Sequence, residues 1–159
     1  IPGMPGLEHR VGGLEKEDLT GNVSYDPENH EHMVKTRAAK IKKIENDIPL
    51  QTIDQGAEKG KLLILAWGSP YGAIKTAVRQ LLEEGYDVSH AHIKYLNPFP
   101  KNLGDILKNY DKVLIPEIND GQLDILIRYK FLIPSVRLCK IKGLPFTAGE
   151  IIEKVKEIY

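Results

Sequence analysis

A three-layer α/β fold, with a mostly parallel sheet and helices on both faces, is predicted by three features of the sequence. Residues 61–68, KLLILAWG, form a continuous apolar run, the pattern of a strand buried on both faces. From there to the C-terminus, strand-like and helix-like segments alternate, the order that builds parallel βαβ units. Their junctions carry turn and capping chemistry: Gly85, the NPFP turn and a Thr147 cap.

Each element can be justified in turn. Residues 1 to about 29 are rich in glycine and proline, with few apolar residues at regular spacing. Such a segment needs a neighbour to pack against. In SYDPENHEHMVKTRAAKIKKI, Asp26 suits an N-cap, Pro27 the first helical position and Glu28 the first turn. Met33, Arg37, Lys40 and Ile44 give this helix only a thin apolar stripe. Lys40, Lys42 and Lys43 suit its C-terminal end rather than a nucleic-acid site. After the KLLILAWG strand, GAIKTAVRQLLEEG reads as an amphipathic helix closed by Gly85. YDVSHAHIKYL reads as a second, alternating strand, and KNLGDILKNY as a short helix. DKVLIPE is a third strand. NDGQLDILIRYKF is a helix with its apolar face at Leu123, Leu126 and Ile127, and SVRLCKIKG is a fourth strand. TAGEIIEKVKEIY closes the chain as a helix begun by a Thr147–Glu150 capping box. The expected organisation is a linker and helix over 1–59, packing on a further domain or partner, and an α/β domain over 60–159.

Composition narrows the function classes. The 159 residues carry 22 Lys plus Arg against 22 Asp plus Glu, so no net field draws nucleic acid or an anionic membrane surface. No apolar run approaches the ~18 residues of a membrane span, and no signal peptide is recognised at the start. Cys139 is the single cysteine, so no internal disulfide can form, and a cytoplasmic setting is expected. The loop-like opening from Ile1 suggests a piece of a longer polypeptide.

Several constellations are candidates for chemistry. The turn WGSPYGA places Gly68, Ser69 and Gly72 at a strand-to-helix junction, where amides can meet a phosphate or carboxylate. It lacks the dinucleotide fingerprint and any P-loop lysine, and a tight turn with Ser69 as helix cap is the favoured reading over an anion site. His90 and His92 lie two apart on a strand and share a face, too few ligands for a metal. His30 and His32 diverge around their helix. Cys139, mid-strand, reads as a small buried apolar residue rather than a nucleophile. Glu117 ends the third strand, where ligands bind in open α/β sheets. It can act as acid, base or ligand anchor, or it can accept amide hydrogen bonds from the turn, with Asn119 capping a helix whose first turn holds Asp120 and Gln122.

Three segments in order, GLEHRVGGLEKEDLTGNVSYDPENHEHMVKTRAAKI, PEINDGQLDILIRYKFL and KIKGLPFTAGEI, resemble the C-terminal part of the α subunit of 2-oxoacid:ferredoxin oxidoreductases, closest to the 2-oxoglutarate branch. An acidic residue, an Asn and a Gly-Gln-Leu at a helix start recur in that family; here they are Glu117, Asn119, Gly121, Gln122 and Leu123.

The resemblance implies a fold like the transketolase C-terminal domain, Rossmann-like, with a mainly parallel sheet and one antiparallel edge strand. It implies an enzyme that converts 2-oxoglutarate and coenzyme A to succinyl-CoA and CO2 and passes electrons to ferredoxin. Thiamine diphosphate, Mg²⁺ and iron–sulfur clusters belong to the full complex, with no cofactor held by this fragment. One cysteine cannot hold a cluster that needs four thiolates. The implied partners are the remainder of the α subunit, the β subunit and, through the complex, ferredoxin, with no nucleic acid and no membrane. Two readings follow. One is a non-catalytic structural and subunit-interface domain, with no catalytic residue of its own. In it, Arg10, beside Glu8 and His9, bonds another domain or meets an anionic substrate or coenzyme A phosphate. The other is an autonomous coenzyme A- or nucleotide-binding module built on the Gly68–Gly72 turn and the edge near Glu117.

Overall fold

The computed structural model describes residues 3–8 and 11–159. Its contacts group into two units, Ile1–Asp47 and Ile48–Tyr159.

In the first unit, Lys16 and Val23 form an antiparallel bridge, closed by Glu17 N–H on Asn22 at 2.7 Å and Ser24 N–H on Glu15 at 3.0 Å. The helix that follows, α1 (Pro27–Lys43), starts as the sequence predicts: Pro27 opens it and the Asp26 carboxylate accepts the Glu28 amide at 2.8 Å. No residue of α1 is buried, so polar bonds rather than a core fasten the preceding arm to it. Glu15 accepts both terminal nitrogens of Arg37, at 2.9 and 3.0 Å, and meets His30 at 2.8 Å. Asp18 meets His32 at 2.7 Å, and Asn29 donates to the Lys16 carbonyl at 2.9 Å.

The second unit contains β1 (Gly60–Trp67), α2 (Tyr71–Glu83), β2 (Val88–Ile93), α3 (Leu103–Lys108), β3 (Tyr110–Glu117), α4 (Gln122–Phe131), β4 (Ser135–Cys139) and α5 (Ala148–Ile158). Residues 48–59, which the sequence reading grouped with the first segment, belong to this unit. The strand order is β2-β1-β3-β4, every pair parallel. The antiparallel edge strand implied by the resemblance is absent among the described residues. Each strand-to-strand connection runs through a helix, which leaves no hairpin to reverse a strand. The antiparallel contact in this unit is a single bridge, Gln55 to His90, at the outer edge of β2.

Side chains alternate across β1 and build two cores. Leu62, Ile64 and Ala66 pack with Ile74, Ala77, Val78 and Leu81 of α2 and Ile151 and Val155 of α5. Leu63 and Leu65 face the other way, toward Leu103 and Leu107 of α3 and Leu123 and Ile127 of α4. The three layers are therefore α2/α5, sheet and α3/α4. The addition of strands reverses after β2, and right-handed crossovers then carry α3 and α4 to the opposite face from α2. The Thr147–Glu150 capping box opens α5 as expected.

Three local expectations need correction. Leu126 is 44% exposed, and Asp124 is buried in its helix instead. Cys139 is exposed, because β4 is the edge strand and that residue ends it. The second strand does not alternate: five of its six residues are buried, the pattern of a strand covered on both faces.

Candidate functional site

The loops after β1 and β3 leave for opposite faces of the sheet. Such divergence opens a crevice at the C-terminal strand ends, where ligands bind in open α/β folds. Here the crevice is about 340 Å³, lined by Trp67, Gly68, Ser69, Pro70, Glu117, Ile118 and Asn119. Four of the candidate residues thus gather at one place. Gly72 lies in the first turn of α2 and Gln122 opens α4. Arg10 lies outside the described residues, as does His9.

The β1–α2 turn is made by Gly68, whose φ of +69° favours glycine. Ser69 is not the helix cap. Pro70 occupies that position, and its carbonyl accepts the Ile74 amide at 3.0 Å. Proline at the boundary pre-sets the backbone and leaves the serine exposed one residue too early.

Glu117 is buried, 1% exposed. Its Oε2 accepts the Leu123 amide at 2.8 Å and its Oε1 the Asp124 amide at 3.0 Å. Those N–H groups have no intrahelical acceptor, so the carboxylate caps α4 and faces the positive end of its dipole. Asn119 Oδ1 accepts the amides of Gly121 at 2.8 Å and Gln122 at 3.3 Å, ahead of the helix rather than at its N-cap. Gly121 holds the N-cap position with φ +92°, and a Cβ there would lie 3.2 Å from Arg137 Cδ. Asp120 therefore precedes the helix rather than sitting in its first turn.

Asp124, a second buried carboxylate, lies outside the lining of the crevice and is unforeseen from the apolar pattern. It accepts Arg128 Nε at 3.1 Å, Arg137 Nε at 2.8 Å and the Ser135 hydroxyl. The Arg128 guanidinium also donates to the Ser135 carbonyl. The signal present in the sequence was an acid–base pair four residues apart. Cys139, at the rim of this region, has its thiol pushed above the usual range, first by desolvation and then by the charge of Glu117. A raised thiol is a poor nucleophile at neutral pH.

A second cleft, about 860 Å³, opens beside β2 and is lined by Asp54, Trp67, Gly68, Tyr71, His92, Ile93, Lys94 and Leu96. His90 and His92 share a face of β2, with ring centroids 5.6 Å apart. Tyr71 covers both, at 5.5 and 4.9 Å. His90 is fully buried with no partner on either ring nitrogen, and His92 Nδ1 is likewise unpartnered. Desolvation, the leading cause in both, lowers the pKa of His90 to about 4 and shifts His92 in the same direction. Both rings are therefore neutral at pH 7. His30 and His32 bond to separate carboxylates.

Among the described residues, no group of three His, Cys, Asp or Glu side chains is placed to hold a metal, and no helix is long and apolar enough to cross a membrane. The lone cysteine cannot supply the four thiolates of an iron–sulfur cluster.

Residues 60–132 match the family model for the pyruvate:ferredoxin oxidoreductase core domain II. The chain is 48% identical over 151 residues to the 2-oxoglutarate oxidoreductase subunit KorA of Mycobacterium tuberculosis, an alignment covering 95% of this chain and 23% of that one. Among solved structures it resembles the 2-oxoglutarate:ferredoxin oxidoreductase of Magnetococcus marinus, whose structure has 2-oxoglutarate, coenzyme A and succinyl-CoA bound. The TM-score is 0.86 at 32% identity, over 98% of this chain and 27% of that one. A split-gene transketolase shares the fold alone, with a TM-score of 0.54 at 16% identity over 67% of this chain and 40% of that one. The chain spans about a quarter of the length of the oxidoreductase subunits it matches.

Proposed function

This chain belongs to the α-subunit family of 2-oxoacid:ferredoxin oxidoreductases, and we propose that it is the structural and subunit-interface domain of an enzyme of the 2-oxoglutarate branch. The complete enzyme converts 2-oxoglutarate and coenzyme A to succinyl-CoA and CO2 and reduces ferredoxin. Thiamine diphosphate, Mg²⁺ and iron–sulfur clusters are held by its other parts, in a cytoplasmic setting. The observation that carries this reading is the state of Glu117. Both of its oxygens bond helix amides, so the carboxylate is engaged in capping α4, and no second acid or base lines its crevice to share a proton transfer with it.

The outer side of α4 supports the interface role. Ile125, Leu126 and Tyr129 are exposed along it, with Leu132 just beyond its end. Contiguous apolar surface of this kind marks contact with another protein surface. In this reading the remainder of the α subunit and the β subunit are the partners, with ferredoxin reached through the complex. The reading of an autonomous coenzyme A module built on Gly68–Gly72 is weaker, because the one charged side chain lining that crevice is the carboxylate of Glu117, which repels phosphate.

The test is turnover by the isolated chain. Supplied with thiamine diphosphate, Mg²⁺, coenzyme A and an electron acceptor, it releases no CO2 from 2-oxoglutarate, and calorimetry with 2-oxoglutarate gives no heat. Release of CO2 in proportion to the chain's concentration contradicts the reading.

A further inference from the structure

We propose that the cleft at the C-terminal ends of β1 and β2 is a binding site for an adenine nucleotide: a planar, amino-bearing heteroaromatic ring joined to a phosphate. The inference stands on the cleft itself and does not depend on the family assignment.

The volume, about 860 Å³, falls within the roughly 300–1,000 Å³ of small-molecule sites. Trp67 and Tyr71, 38% and 37% exposed, stand in its wall with Ile93 and Leu96. Aromatic faces of this sort accept a flat ring by stacking. Tyr71 is held in place from behind, since it packs on both His90 and His92. The polar groups are few and distinct in kind, as a ligand site requires. Asp54 Oδ2 accepts the His92 backbone amide at 2.9 Å. That carboxylate meets no other donor among the described residues, which leaves it able to take an exocyclic amino group. Lys94 lines the cleft and forms no ion pair among the described residues. Lys75 lies 5.7 Å from the Tyr71 ring centroid, also without an acidic partner. The Lys94 ammonium, in the cleft wall beside the Trp67 ring, suits a phosphate, and Lys75, held over Tyr71, adds positive charge nearby.

Two further facts point to a ligand rather than a merely rough surface. The Nδ1 atom of His92, a residue lining the cleft, is buried without a partner. Behind it, the fully buried His90 lacks a partner on both nitrogens. Unsatisfied buried polar atoms are uncommon in folded proteins and concentrate where something else completes them. The neighbouring β1–β3 crevice differs: its lining includes the Glu117 carboxylate and no cation, so the anionic end of the ligand is directed to the Lys94 side.

Trp67 is the only tryptophan in the chain and lines both this cleft and the β1–β3 crevice, so its fluorescence reports binding at either, and the Lys94 and Asp54 variants assign it to this cleft. The experiment titrates the 159-residue chain with ADP, inosine diphosphate and adenosine. ADP is expected to quench Trp67 saturably with a Kd below about 1 mM, roughly tenfold tighter than either comparator. Inosine presents an oxygen to Asp54 in place of the amino group, a mismatch that hydrogen-bonding sites reject, and adenosine lacks the phosphate. Lys94→Gln should remove the advantage of ADP over adenosine, and Asp54→Asn the advantage over inosine diphosphate. The Asn side chain retains an acceptor for the His92 amide, and circular dichroism checks the fold of both variants. Absence of saturable quenching by ADP overturns the proposal. So does quenching that both variants leave unchanged, or equal affinity for ADP and inosine diphosphate.

Discussion

The carboxylate of Glu117 accepts the backbone amide of Leu123 at 2.8 Å, fastening the exit of β3 to the first turn of α4. With the second bond, to Asp124 at 3.0 Å, one side chain satisfies two of the four amides that a helix start leaves open. Glu117→Ala should cost about 3–6 kcal/mol, the worth of two hydrogen bonds to a charged group. Glu117→Gln keeps one acceptor but turns an NH2 group toward an amide, and should cost about 1–2 kcal/mol. Urea midpoints measure both; equal midpoints for all three proteins would refute the capping role.

Asp124 carries a network that predicts non-additivity. Arg128 and Arg137 are about half exposed, so either one lost alone leaves the buried carboxylate paired, at a cost of less than about 1 kcal/mol. Losing both leaves it without a cation. The double variant Arg128→Ala/Arg137→Ala should therefore cost about 1–3 kcal/mol more than the sum of the singles. An additive double-mutant cycle in chemical denaturation would show that the arginines act independently.

Much of this architecture is legible in the sequence, and the misreadings have physical causes. The run Leu62–Ala66 announces a strand covered on both sides because no polar residue interrupts it. The Asp26 and Thr147 caps are local, so local sequence suffices. Position 126 is different. Periodicity makes Leu126 an inward residue, yet Asp124 goes inside because Glu117 takes its amide and arginines from α4 and β4 take its carboxylate. Cys139 looks mid-strand in SVRLCKIKG, and only the strand order shows that β4 is an edge. The shared face of His90 and His92 follows from strand geometry, whereas their cover, Tyr71, comes from another element. Residue spacing cannot reveal such a meeting.

Acidification should weaken the fold through His90. Its pKa in the folded chain is lowered to about 4 from an ordinary 6.5 because burial penalises the imidazolium. A lowered folded value means that the unfolded chain binds the proton more readily. Stability is then fully present above pH 6.5, falls as pH drops toward 4, and levels off below it, by a total of about 3 kcal/mol. His90→Leu should flatten that decline. It should be neutral or mildly stabilising at pH 7, since it removes two unpartnered buried nitrogens. Urea midpoints at pH 7, 6, 5 and 4 settle the matter. A slope that survives the substitution assigns the effect to other groups.

The arm on α1 should respond to acid at a lower pH. The Arg37 guanidinium is the main cause that holds the Glu15 carboxyl down to about 2. Its contribution is present above the ordinary carboxylate range near 4.5 and lost as pH falls toward 2. Glu15→Gln should speed hydrogen exchange at the Ser24 amide, which bonds the Glu15 carbonyl, and leave β1 amides unchanged. Unaltered exchange at Ser24 would show that the arm holds without the clasp.

Steady-state kinetics of Glu117→Gln in the complete oxidoreductase decides whether Glu117 secures a helix and takes no part in chemistry. If the carboxylate is structural, kcat for 2-oxoglutarate stays within about threefold of the parent and its pH profile is unchanged, while the thermal midpoint falls. If the carboxylate is a catalytic acid or base, kcat falls about 10²–10⁴-fold with the midpoint unmoved, and Glu117 belongs to the catalytic machinery rather than to the helix cap.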